Sequence, residues 1–119
     1  MFSRFQNKTA VAKSKIQENN AKLNLDKAKF DLESNIQRAY TDAHAALKTY
    51  VASNKSLKAR ELSFNNAKER YDIGVLNAFE LEQSRVQLVN AEANLINAKF
   101  DFVFKTKVLD FYMGNKIVE

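Results

Sequence analysis

The sequence predicts an all-α protein, folded as one long antiparallel α-hairpin. Three observations predict it. Apolar residues recur with a seven-residue period through two long stretches, the 119 residues contain no proline and only two glycines, and one of those, Gly74, lies between the stretches. Apolar residues at the a and d places of a heptad mark helices that pack side by side. A lone glycine between two such runs can take the left-handed conformation that ends a helix, so the chain reverses once, there.

The first helix is expected from about residue 8 to residue 72. Nothing in that stretch breaks a helix, so it holds about 65 residues and, at ~1.5 Å rise per residue, roughly 100 Å of rod. Ile36, Ala43, Tyr50, Leu57, Phe64 and Tyr71 stand seven apart, and Ala39, Ala46, Ser53, Arg60 and Ala67 each follow by three. They form a single seam, small on one side and large on the other, which lets a partner helix come close. Upstream, Ala21, Leu25, Ala28 and Leu32 keep alternating steps of four and three, and the step from Leu32 to Ile36 is a further four. Such a stutter unwinds a left-handed supercoil toward straight helices.

The turn is expected at residues 73–76. Asn77 can accept a hydrogen bond from a backbone N–H of the next helix, and Glu80, three residues on, can reach back to the Asn77 N–H as a capping box. The second helix is expected from about residue 77 to residue 113, about 37 residues, with Gly114 able to end it. Leu81, Leu88, Leu95, Phe102 and Leu109 form its heptad, with Ser84, Ala91 and Ala98 at the small companion places. Leu88 and Leu95 are expected to be buried against Leu57 and residues 46–50.

The arms are unequal. Folding back from residue 75 sets Met113 beside Ile36 or Gln37, so residues 8–35 find no partner in this chain. Val11, Ile16, Leu23, Leu25, Phe30 and Leu32 still need cover. Self-association is therefore expected, or a fold-back near the stutter that makes a third helix.

Much is excluded. Without cysteine there is no disulfide, thiol chemistry or thiolate metal site. No run of 18 apolar residues exists to span a membrane as a helix. Met1, Phe2, Ser3, Arg4 and Phe5 are too few and too polar for a signal peptide, so an export signal is expected to lie elsewhere. The net charge of +5 is spread among interspersed acids and bases, which reads as a solvated surface rather than a nucleic-acid or membrane face. His44 lies outside the seam with no second ligand, and Asp101 and Asp110 lack metal-ligand spacing. No nucleophile–base–acid set or carboxylate pair can be assembled. The chain reads as no enzyme, with no catalytic, cofactor or metal site.

The ordered set of features resembles the TolC family of outer-membrane efflux proteins. Arg70, Tyr71, Gly74, Asn77, Glu80 and Leu81 are similar to that family's RY-x-x-G-x-x-S/T-x-x-D/E-L turn, with Asn77 where Ser or Thr is usual. Ala91, Leu95, Ala98, Asp101 and Phe102 resemble its A-x-x-x-L-x-x-A-x-x-D-Y segment, with Phe102 in place of Tyr. Residues 109–114 are similar to the L-x-x-x-x-G that closes the same helix, and residues 2–15 to the chain leaving the last barrel strand. The family's barrel strands are missing, so the chain resembles the helical part of the second repeat.

The resemblance implies a homotrimer whose helices form a hollow tube across the periplasm of a Gram-negative cell, continuous with an outer-membrane barrel. It implies export of drugs, toxic compounds or secreted proteins, driven by an inner-membrane pump through a periplasmic adaptor. Residues Ile73, Gly74, Val75 and Leu76 would be the adaptor-docking tip. Tyr71 would help hold neighbouring tips shut, although the heptad alone makes it a seam residue. Glu80 would face the pore as an acidic group, with Gln83 bringing no second charge. Two other readings stand beside this one: a scaffold coiled coil without a transport role, and a basic helical module that binds membrane or nucleic acid.

Overall fold

The computed structural model describes residues 2–114. They form two helices, α1 (Phe2–Asp72) and α2 (Ala78–Tyr112), and no strand among the described residues. The all-α hairpin expected from the heptads is the fold. Helix α1 has 71 residues rather than about 65, because helical structure begins at Phe2. No glycine or proline interrupts that first turn and a half, and the Thr9 hydroxyl donates to the Phe5 carbonyl one turn back, at 2.8 Å. The chain divides into two compact units between Gln37 and Arg38.

In the first unit α1 is helical throughout, and residues 2–33 are all exposed, Phe30 at 67%. A turn-to-turn ion pair, Lys22 Nζ to Glu18 Oε1 at 3.8 Å, joins two exposed side chains. Such a pair contributes a few tenths of a kcal/mol at most. Because the described residues make two helices, the three-helix alternative is excluded, and self-association stands as the expectation for the exposed arm.

The second unit is the hairpin. Among the described residues its buried positions are all alanine: Ala39, Ala43 and Ala46 of α1, and Ala91 and Ala98 of α2. Ala46, at 3% exposure, is the deepest. Tyr50, Leu57, Phe64, Leu81, Leu88, Leu95, Phe102 and Leu109 are half-buried. The expected burial of Leu88 and Leu95 is thus corrected. A methyl group lets the two backbones approach, and fits wholly within the gap. A leucine or phenylalanine reaches across it and leaves one flank in water, because each helix has one neighbour instead of several.

The register follows. Tyr50 stacks on Phe102, with centroids 6.2 Å apart and planes at 11°, so Tyr50 meets Phe102 rather than Leu95. Ser53 shares a cleft with Asn97, and Ser56 shares the next with Asn94, so the arms fold back about Val75. At the far end Gly114 has φ +84°, and its N–H donates to the Phe111 carbonyl at 3.1 Å.

Candidate functional site

The hairpin tip is built by two caps. Val75 N–H donates to the Arg70 carbonyl at 2.8 Å, and Gly74 N–H to the Tyr71 carbonyl at 3.0 Å. That nested pair is a Schellman cap, and it needs a left-handed residue at Gly74, whose φ is +82°. An L-side chain there carries a cost of about 1–2 kcal/mol. A Cβ at Gly74 would meet nothing within 4 Å, so the cost is conformational and the space beside the turn is open.

Asn77 then starts α2. Its backbone is extended (φ −84°, ψ 165°), and its Oδ1 accepts from the Glu80 N–H at 2.8 Å. The return bond from the Glu80 carboxylate to the Asn77 N–H is not formed among the described residues, so the capping box is half made. The exposed carboxylate still lies in the first turn of α2, and Arg70 in the last turn of α1. Each sits where the helix dipole favours its sign.

Residues Ile73, Gly74, Val75 and Leu76 come together at this apex. Ile73 is 74% and Val75 62% exposed, and Phe79, in the first turn of α2, is exposed as well. Leu76 alone of the four is half-buried. Tyr71, the last place of the α1 heptad, is 43% exposed, which corrects its reading as a seam residue. The same fold-back sets residues 79–81 opposite, and this first turn of α2 leaves much of the ring in water. Tyr71 and Glu80 flank the apex on different helices without a ring contact or hydrogen bond between them.

One edge of the hairpin is a row of polar groups, most of them neutral. Thr49 and Ser53 face Asn94, Asn97 and Asp101 across one shallow cleft, floored by Ala98. Ser56 and Arg60 face Gln87, Asn90 and Asn94 across the next, floored by Ala91. Arg60 occupies a seam place by its number, yet its side chain leaves the seam for this edge. Its Nη1–H donates to Gln87 Oε1 at 2.8 Å. Asp101 is paired along its own helix with Lys105 Nζ, at 3.1 Å.

The face of α2 turned away from the seam carries a second apolar stripe that the sequence reading missed. Phe79, Val86 and Phe100 stand on one heptad place, Val89, Ile96 and Val103 on the next-but-two, and all six are exposed. The same seven-residue count that found the seam finds this stripe too, if it is run on every register rather than the strongest one.

A family model described as outer membrane efflux protein matches residues 1–115. The chain belongs to the outer membrane efflux protein family. No curated protein and no solved structure matches it. Membership makes this hairpin part of an outer-membrane efflux channel, in a family of transport proteins rather than enzymes.

The remaining polar groups of this efflux-family hairpin are surface features. Arg85 forks onto Glu82, Nε to Oε2 at 3.0 Å and Nη2 to Oε1 at 2.6 Å. Those hydrogen bonds, with the guanidinium charge, hold the Glu82 carboxyl below the usual carboxylate range. The His44 ring is exposed and stacks on Tyr40 one turn earlier, at 6.2 Å. Among the described residues no group of three or more potential ligands could hold a metal ion, and no helix is long and apolar enough to cross a membrane.

Proposed function

We propose that this hairpin is a wall segment of the periplasmic α-barrel of a trimeric outer-membrane channel, serving efflux or type I secretion. In this reading the turn at residues 73–76 docks a periplasmic adaptor, which couples the channel to an inner-membrane pump. The observation that carries the reading is the two-faced character of α2. One apolar face is closed by α1, and the opposite face, from Phe79 to Val103, is left exposed. A helix apolar on opposite faces calls for a neighbour on each. A ring of hairpins supplies the second neighbour at every place, and an isolated scaffold hairpin does not.

The tip supports the docking role. Ile73 and Val75 present exposed apolar side chains on either side of a glycine with open space around it. An approaching chain can reach the backbone there and bury both side chains. Tyr71 and Glu80 are the tip-closure pair: the exposed Tyr71 ring packs between neighbouring tips, and the Glu80 carboxylate faces the pore.

Cysteine cross-linking in the full-length protein tests this. With Ile96→Cys and a short bis-maleimide, cross-linked dimers are expected from membranes, because the α2 outer face meets a neighbouring hairpin. Tyr71→Ala should let the closed channel leak small antibiotics while leaving the trimer intact. Cross-linked bands absent from Ile96→Cys but present from a cysteine at exposed Lys55 would overturn the wall arrangement.

A further inference from the structure

We propose that the amide and hydroxyl edge of the hairpin lines the water-filled bore, and that Arg60, held by Gln87, is the residue that favours anions in it; this rests on the reading of the chain as channel wall. The starting point is a charge imbalance. Two clefts run along this edge, and their linings contain two charged residues, Arg60 and Asp101. Asp101 is neutralised by Lys105 at 3.1 Å. Arg60 is bonded to an amide oxygen, which fixes the guanidinium but leaves its charge whole. A guanidinium stays protonated at any working pH. The two clefts therefore carry one fixed positive charge without an acidic partner among otherwise neutral polar groups.

Side-chain size says which way the strip faces. Beside the clefts, the residues of α1 along this edge are Ala45, Thr49, Ala52, Ser56, Ala59 and Ser63, in steps of four and three, and all are small. The opposite edge of the same helix carries Tyr40, Leu47 and Glu61 at one heptad place and His44, Val51 and Lys58 at another. When helices are curved into a tube, side chains on the concave side converge and those on the convex side spread. Short neutral groups suit the inside, and larger side chains the outside. Facing the bore, the amides of Gln87, Asn90 and Asn94 keep a hydration shell without adding charge. The apolar outer stripe of α2 is excluded from that position by the cost of wetting it.

Three copies set three guanidinium groups around the bore at one level. For an ion passing about 10 Å from each group, water and salt screen most of the attraction, and the remainder shifts the cation-to-anion permeability ratio by about two- to fivefold. The substrates this suits are solutes that carry a carboxylate, sulfonate or phosphate.

The test is the reversal potential of the full-length channel in a planar bilayer under a KCl gradient. Arg60→Gln should raise the potassium-to-chloride permeability ratio by about two- to fivefold, and Arg60→Lys should keep it near the starting value. Asn94→Asp, which leaves Arg60 in place, should raise the ratio in the same direction. Lys58→Gln should leave it unchanged. Conducting channels whose ratio is the same in Arg60→Gln and Asn94→Asp as in the unaltered protein would overturn the inference while the channel reading stands. A shift with Lys58→Gln as large as with Arg60→Gln would overturn the sidedness. The absence of any conductance from the unaltered protein would sink the channel reading and this inference with it.

Discussion

Residues 2–33 and residues 38–72 belong to one helix and use the same alphabet, yet they end in opposite conditions. Ala21 and Ala28 keep the heptad spacing of Ala39 and Ala46, and both are exposed, while Ala39 and Ala46 are buried. Leu25 and Leu32 stand in water where Leu57 and Phe64 are half-covered. Spacing makes a face; only a partner makes a seam. The difference teaches that helix formation here is a property of the chain, whereas burial is a property of what lies beside it.

The comparison can be broken most forcefully at the arm. Leu25→Lys with Leu32→Lys puts two charges into the exposed apolar stripe and should abolish self-association of the 119-residue chain outright. Light scattering should report oligomers for the unaltered chain and a monomer for the double variant. A monomer in both cases would mean that the arm needs no cover. Next in size is the alanine seam. Ala46→Leu should destabilise the hairpin by about 1–3 kcal/mol through overpacking, read as a lower melting temperature by circular dichroism. Ala21→Leu, the same change on the arm, should not lower the melt. Equal effects at the two places would erase the contrast.

A smaller effect is expected at Leu95. It is half-buried, so Leu95→Ala should cost about 1–2 kcal/mol rather than the larger figure of a filled core. A melt unchanged by this substitution would contradict the register. The smallest effect is at the Glu82–Arg85 pair. Because the folded-state carboxyl is depressed, any stability it contributes is present above the unfolded value and is lost as pH falls through the folded one. Both groups are fully exposed, so Arg85→Ala should raise the Glu82 titration midpoint by NMR with no measurable change in melting near neutral pH.

The heptad made most of the fold legible. The α1 places from Ile36 to Phe64 and the α2 places from Leu81 to Leu109 are the residues that lose solvent exposure. The turn was legible because Gly74 and Asn77 each have one conformational role that few residues share. Depth was not legible: a seven-residue count cannot say that only methyl groups fit fully between two helices that have one neighbour each. Arg60 escaped for a related reason. Its number puts its Cα at the seam, but its side chain is long enough to carry the guanidinium out to Gln87. The site was legible only as a place. Residues 73–76 form one apex with open space beside Gly74, while the α2 outer stripe, which argues for a wall, lay hidden behind the stronger period of the seam.

The central claim is that the Gly74 turn docks a partner, and one substitution tests it most directly. Gly74→Val in the full-length protein forces a branched side chain into a left-handed conformation and fills the open space beside the turn. The seams are untouched, so expression, trimer formation and membrane insertion should persist. Drug export should fail, and cross-linking of the periplasmic adaptor to a cysteine at Val75 should be lost with it. Normal export together with normal cross-linking in Gly74→Val cells would contradict the account and leave the turn as a hairpin cap alone.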